Sequence, residues 1–358
     1  MKHVVEQKCP HCGAAMRFDP EKGKLICDYC GGSADIPEET AVEETQVHGL
    51  DFGVWNAQAT QEGAPSLPVY YCRSCGAELI APAQQFALTC PYCSNNIVLT
   101  DKVTGTLRPD GLIPFRVDAK SLPGTVQRFY QDKVLLPKGF FSESVMGKVT
   151  GVYVPFWVFE GRMTGVLRYR GRNVTHSRQG DYDVTDTSYY EVSRNVDLSF
   201  SNVPVDASGR IDDDLMDSLE PFRMEEVKPF DMGYLAGFTA DRFDLAREET
   251  AGRARERMIH TAEQVVQNRV GRDYESITRT GGELNSQLKA RYLLFPVYLF
   301  DVAHGGQSYR FAVNGQTGKV VGDVPTDGKL SRRYFLLRAG GVLLALVGGL
   351  FVRYLLGG

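Results

Sequence analysis

No cysteine occurs outside residues 9–30 and 72–93 of this 358-residue chain, so the chemistry of its eight cysteines is confined to two short segments. Charge of one sign is missing too. Lys and Arg number 40 against 44 Asp and Glu, a net charge of -4, and the balance denies the chain a global attraction for nucleic acid or anionic lipid. The opening "MKHVVEQKCPHC" lacks the apolar stretch of a signal peptide. The expected compartment is therefore the reducing cytoplasm, where paired CxxC motifs indicate metal more often than disulfide. No phosphate-cradling GxxxxGK[ST] loop is present: the Gly-Lys pairs ending at Lys24, Lys148, Lys319 and Lys329 are followed by Leu25, Val149, Val320 and Leu330, none of which has a hydroxyl for magnesium. HExxH and GxSxG are absent, and the six histidines (His3, His11, His48, His176, His260, His304) are scattered. With no nucleophile–base pair or open metal site to name, the expectation is a protein that is not an enzyme.

What the chain does have is one cysteine pattern written twice. Cys9 and Cys12 are followed after fourteen residues by Cys27 and Cys30, and Cys72 and Cys75 after fourteen by Cys90 and Cys93, a shift of 63 residues. Gly13/Gly76, Ala14/Ala77 and Tyr29/Tyr92 also match across that shift. A CxxC turn converges two thiolates on one cation, and two such knuckles complete a closed tetrahedral site. Gly13 and Gly76 can take the positive φ that such a turn demands. The segments read as two rubredoxin-like zinc ribbons holding two Zn2+ per chain. Iron is the competing metal, disulfides are a further alternative, and a redox CxxC would need a βαβ context that is missing. His11, inside the first knuckle, reads as a bystander to a full four-thiolate site.

Neither ribbon is basic. Residues 1–35 carry five Lys/Arg against five Asp/Glu, and residues 69–103 two against two. Phosphate binding needs a basic footprint, and Phe18, Tyr71, Phe86 and Tyr92 are too few for a stacking platform. A protein-docking role is expected before a nucleic-acid one. The expected organisation is ribbon 1 over 1–36, an acidic-to-polar linker over 37–68 containing the apolar cluster Leu50, Phe52 and Trp55, ribbon 2 over 69–100, and an α+β domain over 101–328. In that domain Val152–Phe159 is apolar on both faces, a strand covered on both sides. "NVDLSFSNV" alternates, with Val196, Leu198 and Phe200 on one face. Ala251, Ala254, Met258, Ala262 and Val265 recur at helical spacing, on a helix whose mixed charges read as a solvated surface. Strands are expected over 290–302 and 307–324, the latter turning at Asn314-Gly315 and Gly318. Nine acids between Asp206 and Asp231 lack EF-hand spacing and read as the charged start of a short helix capped by Asp212.

The tail, Tyr334–Leu356, reads as one transmembrane helix, its charge-free centre flanked by Arg338 and Arg353 that snorkel to the two interfaces. Lys329, Arg332 and Arg333 before it would keep the bulk of the chain cytoplasmic at the inner membrane. Gly341, Ala345 and Gly349 form a small-residue stripe for membrane packing against another helix.

"CPHCGAAMRFDPEKGKLICDYC", "GLIPF", "GVYVPFWVFEG", "LAGFTADRFD" and "YRFAVNGQTGKVVGDVP", in this order, resemble the bacterial TFIIB-type zinc-ribbon membrane proteins. Members are often labelled primosomal protein N′ or PriA-like DNA helicase, and some resemble YdjG of phage-shock type systems. The resemblance implies a cytoplasmic zinc-ribbon and α+β unit at the membrane, beside PspA-like and SPFH-type scaffolds. The helicase label finds no ATP loop to support it. The expected function is a membrane-anchored zinc-ribbon adaptor with protein partners and no small-molecule substrate. The alternative is a zinc-ribbon nucleic-acid-binding protein of replication or transcription.

Overall fold

A computed structural model describes residues 8–36, 69–81, 87–98, 102–103, 107–131, 133–137, 140 and 149–356. The expected linker over 37–68, with Leu50, Phe52 and Trp55, lies outside the described residues, as do His3, His48 and Phe86.

The first ribbon is a three-stranded antiparallel sheet of β1 (Arg17–Asp19), β2 (Lys24–Ile26) and β3 (Ser33–Ala34). The second is built of β4 (Val69–Tyr71), β5 (Glu78–Ile80), and the hairpin β6 (Ala87–Thr89) and β7 (Asn96–Val98). The chain continues through β8 (Lys102–Val103), β9 (Gly111–Leu112), α1 (Leu122–Tyr130), β10 (Thr150–Gln179), β11 (Tyr182–Asp206), α2 (Asp213–Ser218), β12 (Lys228–Pro229), β13 (Thr239–Asp241), α3 (Arg247–Val270), β14 (Ser276–His304), β15 (Gln307–Asn314), β16 (Val320–Gly322) and α4 (Gly328–Leu356). Among the described residues, eleven of these strands share one sheet whose centre is β14, β10 and β13, and β5, β4 and β8 of the second ribbon extend it.

Three strands are far longer than ordinary ones. β10 has 30 residues, β11 has 25 and β14 has 29, against the usual three to ten or so. Their bases are buried on both faces, as the apolar run predicted. Val152, Val154, Phe156 and Val158 pack on one side with Ile211, Met216, Leu219 and Phe222. Tyr153, Trp157 and Phe159 belong to the core on the other side, with Phe115 and Tyr298. Beyond Gly161 the three strands leave the body as an antiparallel blade, and burial turns to alternation: Met163, Leu167 and Tyr169 are buried, while Arg162, Thr164, Arg168 and Arg170 are exposed.

Helix α3 covers one face of this blade. Ala254, Met258, Ala262, Val266 and Val270 line its buried side, at steps of four residues, and join the same core as Val192, Val196 and Leu284. Its arginines are less solvated than the charge pattern predicts. Arg253 contacts Asp206, Asp213 and Asp217, and Arg257 contacts Glu220, so the acidic stretch is the counter-charge of the helix. Asp212 caps α2, its side chain accepting from the Leu215 N–H.

Two expectations are corrected. The fold is mostly a large β-sheet domain, not ribbons followed by an α+β domain and a transmembrane helix. Helix α4 exists, but no helix among the described residues is long and apolar enough to cross a membrane. Between Arg338 and Arg353 only Ala339–Val352 is free of charge, which spans about 21 Å against a hydrocarbon thickness of about 30 Å. Gly340, Gly341, Gly348 and Gly349 within it add little hydrophobicity. The inner-membrane location rested on that segment and falls with it. A side chain at Gly341 or Gly349 would meet nothing within 4 Å, so this small-residue stripe packs against no described residue.

Candidate metal centres

Each knuckle is made by the same local backbone pattern. The N–H of its first cysteine donates to the carbonyl five residues on: Cys9 to Ala14, Cys27 to Gly32, Cys72 to Ala77 and Cys90 to Asn95, each at 2.8 Å. The residue four positions on closes the turn by donating back to the cysteine carbonyl, and it takes positive φ: Gly13 at 75°, Gly31 at 72°, Gly76 at 77° and Ser94 at 58°. Glycine suits that geometry because it has no Cβ to clash. Ser94 is the exception, and a search for glycine alone misses the fourth knuckle.

These turns bring the predicted ligands together. The Sγ atoms of Cys9, Cys12, Cys27 and Cys30 lie within 4.8 Å of one another, and so do those of Cys72, Cys75, Cys90 and Cys93. Cys9 and Cys30 are 3.4 Å apart, Cys12 and Cys27 3.5 Å, Cys72 and Cys93 3.6 Å, and Cys75 and Cys90 3.5 Å. A disulfide would need about 2.05 Å, and the cysteines are free. A tetrahedron with metal–sulfur bonds of about 2.3 Å has edges of about 3.8 Å. The donor sets therefore fit one four-coordinate cation each.

One thiol in each set is poised to ionise. The His11 N–H, with that of Cys12, holds Cys9 down at about 6 despite its burial. At Cys93 burial pushes the other way, but the Asn95 N–H and hydrogen bonds from the companion thiols lower it to about 7. Four thiolates would leave a bound divalent cation no open position, so such a site holds structure and does not activate a substrate. His11 is outside the clustered donors; its ring lies over Gly32, where a Cβ would come within 2.9 Å of His11 Cδ2.

The two repeats differ in how they meet the body. Ribbon 1 docks by Phe18, whose N–H donates to the Ala236 carbonyl and whose ring meets Tyr234 edge-on at 5.3 Å. Ribbon 2 is joined by β5, which pairs with β13 at Ala240↔Ile80 and Asp241↔Leu79. Two body arginines grip its knuckles: Arg210 donates to the Gly76 carbonyl at 3.1 Å, and Arg310 to the Tyr92 carbonyl at 3.0 Å. The repeated tyrosines diverge accordingly. Tyr29 is 85% exposed, whereas Tyr92 donates its hydroxyl to Asp241 Oδ2, which also accepts from Ser208 Oγ at 2.8 Å. Burial pushes the Asp241 carboxyl up to about 7, against the opposing pull of those two hydrogen bonds and of Arg210. Repeat periodicity marks Tyr92 as an equivalent of Tyr29 and gives no sign of this anchor, because its partners Asp241 and Ser208 are more than a hundred residues away.

No family model matches the chain, and no solved structure does. Among curated proteins it is similar to the uncharacterised protein YdjG of Bacillus subtilis (strain 168), with 32% identity over 344 residues that cover 96% of each chain. At that identity over nearly its whole length, the chain belongs to the YdjG family.

Proposed function

We propose that the protein is a non-catalytic adaptor in which two zinc-held ribbons, set against a β-sheet body, dock protein partners. The observation that carries this reading is the pair of all-cysteine donor sets, each closed by its own four thiolates, in ribbons fixed to the body by Phe18, Tyr92, Arg210 and Arg310. A closed thiolate site suits a structural ion, and zinc is the cation for which four-thiolate ribbons are commonest. The resemblance to TFIIB-type zinc-ribbon proteins supports the same reading, and the partners proposed are PspA-like or SPFH-type scaffold proteins.

Elemental analysis of the full chain, purified without chelator, should find two zinc ions and no iron. Purified scaffold protein should bind the zinc-loaded chain and lose it when a chelator strips the metal. One metal or none would sink the zinc reading. Submicromolar, steeply salt-dependent binding to DNA with no binding to a scaffold would replace the adaptor by the nucleic-acid reading.

A further inference from the structure

The blade leaves β11 with an open edge. Among the described residues β11 pairs with β10 alone, and its register runs without a break from Phe200, opposite Gly161, to Tyr182, opposite Gln179. Exposed edges of this kind template pairing with another strand, and proteins usually blunt them with charged side chains, Lys above all, with Pro, with bulges or with short length. The other edge of the blade is blunted: β14 bulges where β10 shifts register between Arg168 and Tyr169, beside Gly281 and Gly282. From Tyr182 to Val203 β11 contains no Lys, Pro or Gly. It also exposes Tyr182, Tyr189 and Tyr190. An uninterrupted aromatic edge reads as a surface kept for pairing.

Its charges select the partner. On the face shared with α3, the even-numbered side of β11 between Tyr182 and Phe200, only Asp186 and Arg194 are charged. They stand symmetrically about Tyr190. The Arg194 guanidinium donates to the neighbouring Ser193 carbonyl, and neither residue forms a salt bridge among the described residues. An antiparallel second copy centred on Tyr190 would set Arg194 opposite Asp186 twice, Val196 opposite Val184, and Leu198 opposite Tyr182. Moving the centre to Glu191 or Arg194 would oppose like charges at the axis, which destabilises a cross-strand pair. The one acid pair in the chosen register, Asp183 with Asp197, is relieved because Arg162 already holds Asp197 with two hydrogen bonds.

We propose that the open edge of β11 binds a second copy of this chain, two-fold and antiparallel about Tyr190, joining two blades into one six-stranded sheet. The symmetry is that of an isologous interface, in which each residue meets its counterpart's partner.

The test is the solution mass of the full chain by analytical ultracentrifugation, in mild detergent so that the exposed apolar residues of α4 are covered. The wild type should be a dimer at micromolar concentration. Arg194→Asp should weaken the dimer at least tenfold, and adding Asp186→Arg should restore it, which a variant damaged in folding would not do. Hydrogen exchange over 184–198 should slow as concentration rises. A wild-type monomer at 100 µM or so, a dimer that Arg194→Asp leaves unchanged, no recovery in the swapped double variant, or concentration-dependent protection elsewhere in the chain would each overturn the proposal. A monomer that instead gains protection at β11 on adding an extended peptide would show that the edge takes a different partner.

Discussion

Asp241 is fully buried with one oxygen, Oδ2, accepting from Tyr92 and Ser208, and the other, Oδ1, without a hydrogen bond. Its carboxyl is raised to about 7 from an ordinary value of 3.8. The folded chain therefore holds this proton more tightly than the unfolded one between those two values. Stability contributed here is highest at acid pH, falls as pH rises from about 4 to 7, and then levels, an effect of up to roughly 4 kcal/mol at about 1.4 kcal/mol per unit. Asp241→Asn keeps an acceptor for Tyr92 and Ser208 but cannot ionise. Urea unfolding at pH 5 and pH 8 should show a smaller loss between the two in Asp241→Asn than in the wild type. Equal losses would mean that the buried carboxylate is compensated by contacts other than those described. Nothing around Asp241 in the sequence announces this role; "LAGFTADRFD" reads only as a short apolar stretch ending in two acids, Asp241 and Asp244, since the residues that bury Asp241 come from remote parts of the chain.

The ribbons were the most legible elements because a four-thiolate site requires fixed spacing and a tight turn after each knuckle, so chemistry and local geometry agree. The doubly buried base of β10 was legible for a similar reason: an apolar run of strand length has few other homes. The blade was not. Its wet face carries Arg, Thr, Ser and Asp where turn residues would also be expected, and Gly165, Gly171 and Gly282 break the apolar stripe. Gly282 takes φ 108° and a Cβ there would strike the Val166 carbonyl, so what looks like a loop signal is a close approach of two strands. The tail misleads in the opposite sense: Arg338 and Arg353 invite a snorkelling span, but the charge-free part between them is too short to cross the hydrocarbon. The unequal docking of the two ribbons predicts unequal damage. Cys90→Ser should release β5 from β13 and speed hydrogen exchange at 239–241, whereas Cys27→Ser should leave that strand protected. Identical exchange at 239–241 in the two variants would mean that β13 does not depend on the second ribbon.

At the scale of the whole molecule, the segment 235–241 lies between the two metal centres. Its first residues receive ribbon 1 at Ala236, and its last receive ribbon 2 at Ala240 and Asp241. The six residues from Ala236 to Asp241 thus bear on both sites, although the ligand sets are 63 positions apart in sequence and share no atom. Filling either site orders its end of the segment and spares the other site part of that ordering, and such linkage acts equally in both directions. Zinc affinity at the first ribbon, measured by competition with a chromophoric chelator, should fall roughly fivefold or more in Cys90→Ser, the lower end of ordinary coupling energies. An unchanged affinity would mean that the segment is rigid without metal. If the coupling holds, the chain counts its ions as a pair: at limiting zinc, molecules with both sites filled or both empty outnumber those with one, and the population responds to metal supply more steeply than two independent ribbons could.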